Sequence, residues 1–121
     1  GGNAAGVKSF VECQRWYLAQ FAHLLDRLAQ TPDPQRGGSL LDSSVVVACT
    51  ELGDPQLHSC TDVPFVLAGG GNGAFRTGRY LDFHCAPHQQ LLVSLCRAMG
   101  VMTDSFGRTD YGTGALPGLL A

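Results

Sequence analysis

Charge is scarce in this chain: Asp, Glu, Lys and Arg together make up 15% of its 121 residues, and the formal net charge is −2. The eight Lys and Arg are scattered, so the basic stripe that grips a phosphate backbone is missing and nucleic acid is excluded as a partner. No run of about 18 apolar residues occurs, which leaves no candidate for a membrane-spanning helix. The opening Gly1-Gly2-Asn3-Ala4-Ala5-Gly6 has neither the charged segment nor the apolar segment of a signal peptide, and it lacks an initiating Met. A processed product or a portion of a longer protein is expected. There is no Gly-x-Ser-x-Gly elbow, and Gly69-Gly70-Gly71-Asn72-Gly73 lacks the Lys-Ser/Thr pair of a phosphate loop, so a tight glycine turn is expected there.

What the chain does have is apolar residues, 45% of the total, enough to bury a core in one domain spanning residues 1–121. So little charge on so small a domain suggests a surface that something else covers. The five cysteines, Cys13, Cys49, Cys60, Cys85 and Cys96, are an odd number, so at least one stays unpaired.

Helical periodicity dominates residues 7–30. Val7, Phe10, Val11, Tyr17, Leu18, Phe21, Leu24, Leu25 and Leu28 recur at three- and four-residue spacing and predict an amphipathic helix with one buried face. Thr31-Pro32-Asp33-Pro34 ends it, and Asp42 reads as a turn residue. Strands are expected at about 45–50, 63–68 and 76–83. The unbroken apolar run Val45-Val46-Val47-Ala48-Cys49 predicts a strand covered on both faces, with Cys49 in the core. A second helix is expected over 87–99, opened by Pro87 and closed by Gly100, with Leu91, Leu92, Leu95 and Met99 on one side, followed by a loop tail over 103–121. The fold class is α/β, a partial sheet with flanking helices.

Chemistry concentrates just past the first strand. Glu51 leaves its C-terminal end, where open α/β sheets place their ligands, and His58 follows on the same loop. A carboxylate and an imidazole so placed suit a divalent cation, zinc or calcium, with Asp54, His84 and His88 as further ligands. The plainer alternative is that Glu51 pairs with Arg76 or Arg79 and His58 merely caps the loop. His58, Cys60, His84, Cys85 and His88 also form a candidate zinc set, although a disulfide between Cys60 and Cys85 accounts for the two cysteines equally well.

Taken in order, the segments Trp16-Tyr17-Leu18-Ala19-Gln20-Phe21-Ala22-His23-Leu24-Leu25, Gly38-Ser39-Leu40-Leu41-Asp42-Ser43-Ser44-Val45, Thr50-Glu51-Leu52-Gly53-Asp54, Val63-Pro64-Phe65-Val66-Leu67-Ala68-Gly69 and Gly114-Ala115-Leu116-Pro117-Gly118-Leu119 carry a likeness to one family. Together they resemble the C-terminal part of an exported bacterial family of unknown function named after a His-x-x-Ser-His-His motif, itself similar to the sulfatase-like and alkaline-phosphatase superfamily. The resemblance implies the C-terminal portion of an alkaline-phosphatase-like three-layer fold and an exported, periplasmic or extracellular location. It also implies a metal-dependent hydrolase in which Glu51 stands at an acidic metal-ligand position and His58 at that of a later histidine. Leu52 departs from the pattern, because relatives with two metals place a ligating histidine there. The superfamily's nucleophile and the name-giving motif do not occur in these residues. The implied partner is the remainder of the same fold or another subunit, without which the chain is expected to be inactive; a non-catalytic exported structural or binding module is the alternative.

Overall fold

A computed structural model describes residues 3–121; Gly1 and Gly2 of the expected 1–121 unit lie outside the described residues. The first helix, α1 (Ala4–Gln30), starts three residues earlier than the apolar period alone indicates. The reason is a cap: the Asn3 side chain accepts from the Ala5 amide at 3.1 Å and satisfies one of the helix's free donors. At the other end the Thr31 hydroxyl donates to the Arg27 carbonyl at 2.7 Å, and the chain turns away.

The expectation of a buried face on α1 needs correction, because none of its residues is buried. Phe21, Leu25 and Leu28 reach half-burial, while Phe10, Trp16, Tyr17 and Leu24 lie open to solvent. The stripe is present, but the described residues cover it only at its C-terminal end, around Phe21, Leu25 and Leu28.

Asp33 organises the connection that follows. Its carboxylate accepts from the Gln35 and Arg36 amides at 2.9 and 3.2 Å, which fixes the turn. The Ser43 hydroxyl and these amides hold its carboxyl below the usual range. Asp42 does more than make a turn: with Ser39 it forms a reciprocal cap on the one-turn helix α2 (Leu40–Ser43), accepting from the Ser39 amide and hydroxyl at 2.8 Å each. That amide, then the hydroxyl, keeps the Asp42 carboxyl low as well. Both folded-state values lie below the unfolded ones, so their contribution is complete above about pH 4 and is lost as the pH falls through the folded values. Melting temperature measured from pH 7 downward should be flat and then drop below about pH 4. The gap between wild type and Asp33→Asn should narrow over the same drop, and a gap that widened on acidification would contradict the assignment.

The sheet has two strands, β1 (Val46–Cys49) and β2 (Phe65–Ala68), paired antiparallel with Val46 opposite Ala68 and Cys49 opposite Phe65. The third strand expected over 76–83 does not form; this stretch is irregular, with Gly78 in the left-handed region at φ 72°. It is held by a side chain instead of a ladder. Arg79 donates to the Gly118 and Leu119 carbonyls at 2.8 and 2.9 Å and ties the segment to the C-terminal tail. Coverage of the sheet on both faces is likewise incomplete: Val47, Cys49 and Val66 are exposed. Cys49 is therefore a surface thiol, not a core residue.

Gly69 makes the turn after β2 with φ 96°, and a methyl group there would run into the Ser44 and Leu41 carbonyl oxygens, so only glycine fits. The next amides use those same oxygens, Gly70 bonding Leu41 at 3.1 Å and Gly71 bonding Ser44 at 3.0 Å.

The second long helix, α3 (His88–Ala98), has Pro87 as its N-cap, and past its end Gly100 adopts φ 83°. The Val101 amide reaches back to the Cys96 carbonyl at 2.8 Å and closes the helix end. Leu91 is buried as expected, but Val93 and Ser94 are buried too, and Met99 is 64% exposed. Leu91, Leu116 and Leu119 form the core, with Phe65, Leu67, Phe75, Phe83, Ala86 and Leu95 packed against them. The loop tail thus supplies two of the three core leucines. Ser94 joins tail to helix: its hydroxyl donates to the Gln90 carbonyl at 2.8 Å and accepts from the Leu116 amide at 2.9 Å.

Mixed α/β is the resulting class, with helices beside a small antiparallel sheet. No helix among the described residues is long and apolar enough to cross a membrane. The accessible surface is 8523 Å². A folded monomer of 12.8 kDa exposes about 6,300 Å², so this chain shows roughly 2,200 Å² more than its mass warrants.

Candidate functional site

Thr50 follows β1, and its hydroxyl donates to the Leu52 carbonyl at 2.8 Å, bending the chain as Glu51 leaves the strand. The loop beyond closes on itself. Gly53 donates to the Ser59 carbonyl at 2.9 Å and Ser59 donates back to Asp54 at 3.0 Å. The Asp54 carboxylate accepts from the Gln56 and Leu57 amides at 2.8 and 3.1 Å, so it is committed to shaping this turn.

Glu51, Cys60, His84, Cys85 and His88 all line one open cleft of about 1030 Å³ whose floor includes Leu91, Leu116 and Leu119. Asp54 and His58 are not among the cleft-lining residues. His58 is exposed with φ 50°, on the turn rather than beneath Glu51. Of the ligands expected beside Glu51, His84 and His88 share its cleft, while Asp54 and His58 do not.

His84 has a carboxylate neighbour that the sequence reading did not single out. Its amide donates to Asp82 Oδ1 at 2.9 Å, and its Nδ1 lies 3.5 Å from Asp82 Oδ2, with both side chains open to solvent. An Asp two residues before a backbone turn is the signal that would have found this, and reading 76–83 as a strand hid it. His84 and Cys85 both sit in the left-handed region, at φ 46° and 65°. His88 opens α3.

Glu51 takes part in none of the ion pairs among the described residues, so the alternative of pairing with Arg76 or Arg79 is not realised; Arg79 is spent on carbonyls. Cys60 and Cys85 are free thiols, and no disulfide links them. The donor set of the cleft, carboxylate, imidazole and thiol, suits zinc better than calcium, which prefers oxygen alone. Even so, among the described residues no three His, Cys, Asp or Glu side chains stand together closely enough to hold an ion. No family model, curated protein or solved structure matches the chain.

Proposed function

We propose that this chain is the C-terminal portion of an exported α/β hydrolase of the sulfatase and alkaline-phosphatase type, contributing one wall of the active-site cleft and inactive on its own. The supporting observation is Glu51, an unpaired carboxylate delivered by the end of β1 into a cleft that also holds His84 and His88. A carboxylate that joins none of the ion pairs among the described residues is available to a ligand. The role of Glu51 is to present one oxygen donor for a divalent cation whose remaining ligands come from the other part of the fold.

Calorimetric titration of the chain with zinc tests this. One weak site is expected, weakened at least about tenfold by Glu51→Ala and unchanged by His58→Ala, because His58 does not line the cleft. Identical isotherms for wild type and Glu51→Ala, or no heat at all, would overturn it. The half-buried Leu52, at the position where the resembled superfamily would have a second metal ligand, supports a second reading: an exported binding module on the same fold with its chemistry lost. Absence of any zinc binding is the outcome which that reading expects.

A further inference from the structure

We draw no further inference here: the strongest candidate, the apolar stripe that α1 leaves open to solvent through Val7, Phe10, Tyr17 and Leu24, is an unpartnered helix face, and nothing in the structure shows what covers it.

Discussion

Leu91→Ala is expected to abolish most of the cooperative unfolding transition of the isolated chain. Leu91 is 4% exposed and belongs to the core cluster with Leu116 and Leu119; among the described residues the one further buried large apolar side chain is Val93. Removing three carbons there forfeits their transfer free energy and leaves a hole, about 3 kcal/mol together. Domains of this size are held by only about 5–15 kcal/mol, and one that leaves α1 and a sheet edge uncovered belongs at the low end. Leu91 also holds the two ends of the fold together: it sits on α3, while Leu116 and Leu119 come from the tail and Phe65 and Leu67 from β2. Collapse of the site is resisted from all three directions, so relaxation recovers little. Urea unfolding followed by circular dichroism measures the effect. The midpoint should shift strongly toward zero, whereas Met99→Ala, on an exposed residue of the same helix end, should stay within about 0.5 kcal/mol. Equal midpoints for the two variants would mean that the core lies elsewhere.

How much of this was legible beforehand follows from where each signal resides. The helical period of α1 is written in one segment, so the helix was readable to within three residues at its start; only Asn3 as a cap was missed. Strands β1 and β2 were readable from β-branched runs, and α3 from Pro87 and Gly100. Burial was not readable in the same way, because it depends on what lies opposite. The run Val45 to Cys49 has the composition of a strand covered on both sides, yet Val47 and Cys49 are exposed among the described residues. Tyr80, Leu81 and Phe83 have strand propensity, but a strand needs a neighbouring edge, and Arg79 bonding to the tail took the place of a ladder. In the site, the sequence puts Glu51 at a strand end and His58 on the same loop; that His58 stays out of the cleft follows from the Gly53–Ser59 closure, a contact between backbone groups that no side-chain pattern announces.

That closure makes Gly53→Ala the sharpest test of whether the loop positions the cleft. A methyl group at Gly53 would overlap the Thr61 carbonyl oxygen and come within 3.1 Å of the Asp62 carbonyl. Both obstacles are backbone, so no rotamer change relieves the clash. The loop cannot shift as a unit either, since the Gly53 amide is bonded to Ser59 and the Ser59 amide to Asp54. Relief requires breaking that pairing, which separates Glu51 from Cys60 and opens their side of the cleft. The expected cost is on the order of 2 kcal/mol, with zinc binding weakened as in Glu51→Ala although the carboxylate itself is untouched. Gly73→Ala is the control for glycine replacement as such: a methyl group there meets open space, and the strain comes only from its φ of 85°, about 1 kcal/mol. It should leave the zinc isotherm unchanged. If Gly53→Ala kept both the isotherm and the Cys60 labelling rate of wild type, the loop would not be what sets Glu51 in place. The carboxylate would then owe its position to β1 and the Thr50 hydroxyl alone, since Thr50 bonds Leu52 inside the bend and does not depend on the Gly53–Ser59 pairing.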